Sequence, residues 1–156
     1  GEAMSPPLMR VVKDKMKSMV AQHSADVIID APPGVSCPAV NAVMDADIVL
    51  LVTEPTPFGL YDLRLAHKAF SPFNIPMGVV VNRAGLGTTA VYDYCNASGL
   101  EILSVIPYER SIAQSYAQGK IIAESSRELR YLFVELAEKI KTLNHGMDRT
   151  REVSVG

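Results

Sequence analysis

The chain has 156 residues, enough for one domain with a proper core, and 48% of them are apolar against 21% charged, which excludes an intrinsically disordered chain. A formal net charge of −2 supplies no broad basic field for nucleic acid or an anionic membrane surface. No run approaches the roughly 20 apolar residues of a membrane span, the first residues lack the zones of a signal peptide, and Cys37 and Cys95 make neither a disulfide framework nor metal-ligand spacing. A cytoplasmic, reducing setting is the expectation.

Gly1–Met4 carries no pattern of its own. Ser5 ahead of Pro6 is a good N-cap followed by the residue best tolerated at the first helical position. Leu8, Val12, Met16, Met19 and Val20 then share one face, with Arg10, Lys13, Lys15 and Lys17 over much of the rest, so a helix over about 6–22 with a solvated cationic face is expected. Val27, Ile28 and Ile29 are β-branched and uninterrupted, the pattern of a strand buried on both faces of a parallel sheet, here over 26–31. Asp30 closes that run, and Pro32, Pro33 and Gly34 make a bend that continues as neither strand nor helix.

Residues 38–44 read as a short helix, and Ile48–Val52 as a second buried strand ending at Thr53-Glu54-Pro55. A helix over 59–70 has Leu60, Leu63, Leu65, Ala66 and Phe70 for its packing face. Met77–Val81 is a third strand ending at Asn82-Arg83, residues 85–89 a loop, and 90–97 a helix stopped by Ser98-Gly99. A fourth strand over 102–106 ends at Pro107-Tyr108, and a short helix over 111–116 follows. The last long helix begins around Ser125, where Ser125 and Glu128 have the spacing of a capping box. Leu129, Leu132, Phe133, Leu136, Ile140 and Leu143 form its apolar stripe, Gly146 is its expected stop, and residues 147–156 read as a loose tail. Strand and helix alternate, which predicts an α/β fold of three layers: a mostly parallel sheet with helices on both faces.

Three of the four expected strands end in groups suited to a ligand at one edge: Asp30, Asn82 with Arg83, and Pro107 with Tyr108. In open α/β sheets ligands bind outside the carboxyl ends of the strands. A carboxylate there can bind Mg²⁺ beside a nucleotide's phosphates, or it can simply cap a turn. Asn82 offers an amide donor and acceptor to a base edge, and Arg83 a planar cation to stack on it; Asn82 can equally tie down its own turn. Cys37, lacking a partner at metal-ligand spacing, reads as a small buried residue, Cys95 as a helical one, and His23, His67 and His145 are scattered without a catalytic role.

These same residues carry a resemblance. Asp26-Val-Ile-Ile-Asp-Ala-Pro-Pro-Gly34, Val79-Val-Val-Asn-Arg83 and Val105-Ile-Pro-Tyr108 resemble the MinD/ParA/Mrp group of deviant P-loop ATPases. Ser36-Cys37-Pro38 and Val52-Thr-Glu-Pro-Thr-Pro-Phe-Gly-Leu60 are similar to the MinD-like members with an inserted iron–sulfur ferredoxin domain. The resemblance implies that Asp30 is the Walker B aspartate, the catalytic-site carboxylate holding Mg²⁺ through water. It implies that Pro32, Pro33 and Gly34 form the switch II turn, and that Asn82, Arg83 and the backbone at Pro107 contact adenine.

The chain lacks two features of the group: no Gly-x-x-x-x-Gly-Lys-Ser/Thr occurs in it, and no cysteine-rich insert. It therefore looks like the C-terminal part of such an ATPase over 1–146, inactive alone, with ATP or ADP and Mg²⁺ bound by the intact protein and any iron–sulfur cluster held by a domain not in this sequence. A homodimer, the other half of the ATPase, or a redox or metal-cluster protein are the implied partners, with no nucleic acid and no transmembrane segment. The strand over 26–31, without a P-loop strand beside it, is expected to pair anew with 47–53, to recruit another chain, or to stay exposed. The alternative function is a non-catalytic interaction or regulatory module that kept the sheet.

Overall fold

A computed structural model of the protein describes Lys15 and residues 26–153, with side chains to residue 143. Apart from Lys15, which is helical, the predicted helix over 6–22 lies outside these residues, as do residues 154–156. The chain divides into two units, residues 1–46 and 47–156.

In the first unit, residues 26–32 form neither strand nor helix. The expected strand over 26–31 is thus not formed: Val27 is exposed and Ile28 is 95% exposed. The physical reason is that β propensity reports fit to a pleated surface between neighbours, not an intrinsic strand. After the bend at 33–35 comes α1 (Cys37–Val43), close to the predicted 38–44. Ser36 stands at its N-cap in extended backbone, and Pro38 lies within the first turn, where a missing N–H costs no helical bond. Ala39, Ala42 and Val43 are its buried residues.

The second unit is built on β1 (Val49–Thr53), β2 (Met77–Ala84) and β3 (Glu101–Pro107), all parallel and in that spatial order. Among the described residues the sheet therefore has three strands where four were expected. Between them run α2 (Pro57–Phe70) and α3 (Ala90–Ser98); α4 (Arg110–Ala117), α5 (Ile122–Ser125) and α6 (Arg127–Val153) follow β3. Residues 26–31 aside, each element predicted within the described residues is present: α2, α3, α4, β2 and β3 overrun their predicted bounds by one to three residues, α1 and β1 are displaced by one, and α6 begins at Arg127 and runs on to Val153.

Local chemistry explains the boundaries. Thr56 caps α2, its hydroxyl oxygen accepting from the Gly59 N–H at 3.0 Å, and Pro57 opens the helix. Gly99 ends α3 in the left-handed region (φ 66°), and the Leu100 N–H bonds the Cys95 carbonyl at 2.9 Å. At α6 the cap is Ser126 and not Ser125: the Ser126 hydroxyl accepts from the Leu129 N–H at 3.1 Å, while Ser125 donates to the Ile122 carbonyl and closes α5, a turn of helix the sequence reading missed. Gly146 does not stop α6, which continues to Val153; glycine inside a helix costs about 1 kcal/mol but does not break it.

The two faces of the sheet are distinguishable. Val49, Leu51 and Thr53 are buried and alternate with exposed Leu50 and Val52. Thr53 donates its hydroxyl to the Gly59 carbonyl at 2.8 Å, so the Val49–Leu51–Thr53 face is the one that α2 covers. Gly78 is paired with Leu50 and points the other way, and a Cβ there would run into Leu103 and reach Leu143 of α6. Helices therefore cover both faces, as the α/β reading requires. The core is Val49, Leu51, Leu63, Phe70, Val79–Val81, Val91, Cys95 and Leu103, all at or below 7% exposure. Leu65, expected on the packing face of α2, is instead exposed, whereas Leu63 and Phe70 are buried. On the α6 face Leu50 and Val52 stay 37% and 67% exposed, and no strand pairs with the outer edge of β1 among the described residues.

Candidate functional site

The carboxyl ends of β1, β2 and β3 lie side by side because the strands are parallel and adjacent: Thr53 pairs with Val81, Val81 with Val105, and Ala84 with Pro107. Between the last two pairs, β2 has two residues, Asn82 and Arg83, where β3 has only Ile106. One residue too many on one strand is a β-bulge, a device that re-aims side chains and kinks a strand. Arg83 takes the strained position in it, with φ 53°, a left-handed conformation that costs a non-glycine residue about 1 kcal/mol or more.

Two contacts hold that conformation. The Arg83 N–H donates to the Asn82 side-chain oxygen at 2.9 Å, and the Arg83 guanidinium pairs with the Glu54 carboxylate at 3.2 Å across the ends of β1 and β2. Asn82 is half-buried and does what a turn asparagine does, anchoring the next backbone amide with its oxygen. The Tyr108 N–H donates to the Ala84 carbonyl at 2.9 Å, which draws the Pro107-Tyr108 turn alongside the bulge, with the Tyr108 ring exposed. The structure thus brings together Asn82, Arg83 and Pro107, and adds Glu54. In the sequence Glu54 stands in a motif with no role assigned to it; its signal is a charged residue directly after a buried strand.

Asp30, Pro32, Pro33 and Gly34 belong to the first unit, and all four are exposed. Gly34 has φ 77° and open space where a Cβ would stand, so its conformation and not crowding calls for glycine. Cys37, expected to be buried, is exposed at the start of α1; the first helical turn leaves its N1 side chain facing outward. Cys95 is fully buried in α3, and burial pushes its thiol above the ordinary value, which makes it inert. Among the described residues His67 is engaged structurally: its Nδ1 lies 2.8 Å from the Tyr94 hydroxyl, edge-on to a ring that Arg64 covers, a tie between α2 and α3.

No protein-family model matches the chain. It is 31% identical over 132 residues to an uncharacterized protein of Methanocaldococcus jannaschii, covering 84% of this chain and 45% of that one. With an iron–sulfur cluster carrier protein of Aquifex aeolicus it shares 25% identity over 150 residues, 85% of this chain and 41% of the carrier. Its fold matches the cell division ATPase MinD of Pyrococcus furiosus with a TM-score of 0.63 at 26% identity, over 90% of this chain and 58% of that one. In sequence and fold the chain is similar to the MinD/ParA/Mrp-like ATPases. The septum site-determining protein MinD of Pyrococcus horikoshii, solved with Mg-ADP, matches with a TM-score of 0.61 at 23% identity, over 74% of this chain and 49% of that one. The chain spans about half the length of the curated relatives it matches.

Whether the residues present suit Mg²⁺ can be judged from their donors. Among the described residues no three His, Cys, Asp or Glu side chains converge on a point. Asp30 offers one solvent-exposed carboxylate. Mg²⁺ is ordinarily held by one or two carboxylates, several waters and the substrate's phosphates, and for that mode of binding a lone accessible carboxylate fits. Among the described residues no helix is long and apolar enough to cross a membrane.

Proposed function

We propose that this chain supplies the Walker B, switch II and adenine-contacting side of an ATP-binding, Mg²⁺-dependent MinD-like ATPase, over residues 1–146. The observation that carries the reading is the bulge at Asn82-Arg83, set between Glu54 and the Pro107-Tyr108 turn at the carboxyl edge of a parallel sheet. Arg83 presents a planar cation that can stack on a base, and the Asn82 amide N–H₂ remains to donate to a ring acceptor while its oxygen holds the turn. Backbone groups at Pro107 complete the base contact. Asp30 holds Mg²⁺ through water, and bound there the ion supplies charge neutralisation for the phosphates; Pro32, Pro33 and Gly34 form the turn beside it. A match to a MinD solved with Mg-ADP supports the nucleotide, and a match to an iron–sulfur carrier supports a cluster-handling protein as a partner; a cytoplasmic setting is part of the same proposal. A homodimer or a P-loop-bearing chain completes the phosphate site.

No Gly-x-x-x-x-Gly-Lys-Ser/Thr occurs in the sequence. The chain by itself is therefore expected to bind ADP weakly and to turn over no ATP. ATP hydrolysis by the purified chain, abolished by Asp30→Ala, would contradict this.

One observation favours a second reading, a non-catalytic interaction module: the Asn82 oxygen is already engaged by Arg83. That reading predicts no response of Asn82 or Arg83 to ADP at any concentration.

A further inference from the structure

The geometry points to Glu54 as a positioning residue for the base site, one that holds the Arg83 guanidinium in place before any nucleotide arrives; this rests on the reading of Asn82 and Arg83 as base contacts. Three observations converge on it.

The first is the choice of residue at a strained position. With φ 53° in a bulge, residue 83 is a place where glycine would be the cheap occupant. An arginine there is worth its strain only if its side chain is used. The second is the character of the ion pair. Glu54 and Arg83 meet at 3.2 Å, but their side chains are 37% and 57% exposed. A pair that wet contributes little to folding stability. What it does fix is direction: a carboxylate at the end of β1 draws the guanidinium from the end of β2 toward β1.

The third is the rigidity of the strand end that bears Glu54. A Cβ on Gly59 would collide with the Glu54 carbonyl, and one on Gly87 with the Pro55 carbonyl. Two glycines from different elements thus let backbone press against residues 54 and 55 from two sides. The Thr88 N–H donates to the Pro55 carbonyl at 3.1 Å, and the Thr56 N–H to the Glu54 carbonyl at 2.8 Å. A surface carboxylate on so constrained a stem loses little freedom when it pairs. Pre-organisation of this kind raises affinity by removing an ordering cost from the binding step.

The ligand class is a purine nucleotide, with Arg83 stacked on the base and Glu54 behind Arg83, away from the ring. The test uses the full chain, titrated with ADP and followed by NMR, reading both the apparent Kd and the Arg83 Nε–H resonance, which the ring current of a stacked adenine shifts. Arg83→Gly is expected to leave the thermal midpoint unchanged or higher, since it relieves the left-handed strain, and to weaken ADP binding roughly two- to fivefold, the range for an exposed cation on a ring. Glu54→Gln is expected to weaken binding by a similar factor and to shrink the ADP-induced shift of the Arg83 Nε–H extrapolated to saturation. In the Arg83→Gly background Glu54→Gln should have no further effect. The inference is overturned if Arg83→Gly weakens ADP binding while Glu54→Gln changes neither Kd nor the Nε–H shift, or if Glu54→Gln weakens it equally in both backgrounds. If ADP moves no resonance of the native chain, or if Arg83→Gly and Asn82→Ala both bind as the native chain does, the base-site reading itself fails and takes this inference with it.

Discussion

Two stretches of this chain carry the family's motifs, and they differ in what holds them. The strand ends around Glu54, Asn82, Arg83 and Tyr108 are tied by a parallel register, a bulge, an ion pair and backbone bonds. The Asp26–Gly34 stretch has the same motif quality in sequence, yet it forms no strand, and Ile28 is 95% exposed. The difference is one of neighbours. β2 has a strand on each side, so its four central residues Gly78–Val81 are all buried; a run equally rich in Val and Ile, with no strand beside it among the described residues, stays in solvent. Apolar β-branched sequence says that a residue will fit a sheet, and the sheet must still be supplied.

Substitutions sharpen that contrast, the largest first. Leu103→Ala, at a position 1% exposed, should lower the unfolding free energy by about 2–5 kcal/mol in a denaturant titration. Ile28→Ser should stay within about 0.5 kcal/mol, as surface substitutions usually do; a cost near that of Leu103→Ala would mean the 26–31 run is buried in solution. The glycines offer a second comparison. Gly87→Ala meets both a left-handed φ of 80° and the Pro55 carbonyl, and should cost about 2–3 kcal/mol. Gly34→Ala meets only a φ of 77° with open space around it, and should cost about 1 kcal/mol. Equal losses at the two would show that crowding around residues 54–56 is not what Gly87 is for.

The two thiols divide the same way. Exposed Cys37 should react with a colorimetric disulfide reagent at once, and buried Cys95, its thiol raised by desolvation, only as the chain unfolds. Simultaneous release of both would contradict the burial of α3. The smallest effect is at the start of α6. Hydrogen bonds from its own backbone amide and from Ser126 hold the Glu128 carboxyl below its ordinary value. A carboxylate lowered on folding stabilises the folded state above its ordinary pKa, and that contribution fades as pH falls through the lowered value. Native chain and Glu128→Gln should therefore differ in thermal midpoint slightly at neutral pH and converge on acidification; a gap that widens in acid would reverse the sign.

Much of the second unit was legible beforehand because its signals are local. Thr56-Pro57 announces a helix start, Ser98-Gly99 a helix end, and Val79–Val81 a buried parallel strand, and each does what it announces. The misses are of other kinds. Ser125 and Ser126 are equally good caps in sequence, and only the preceding turn of helix decides between them. Gly146 reads as a stop, but a glycine's local preference is about 1 kcal/mol and a long helix overrides it. Cys37 was misplaced because burial depends on which way a helix faces, which a single short turn does not encode. Of the candidate site, the residues at the strand ends were readable from the alternation of strand and turn. The bulge that sets Asn82-Arg83 against a single Ile106, and the Glu54–Arg83 pair across strands, depend on register between segments far apart in sequence, which no local pattern carries.

The measurement that bears most directly on the central claim is an amide chemical-shift map of the full chain titrated with ADP. A base bound at the strand ends predicts that the largest shifts fall on residues 54, 82–84 and 108, with the buried core at Val79 and Leu103 and the surface of α4 and α5 unmoved. Shifts concentrated on α4 and α5, or none at millimolar ADP, would contradict it.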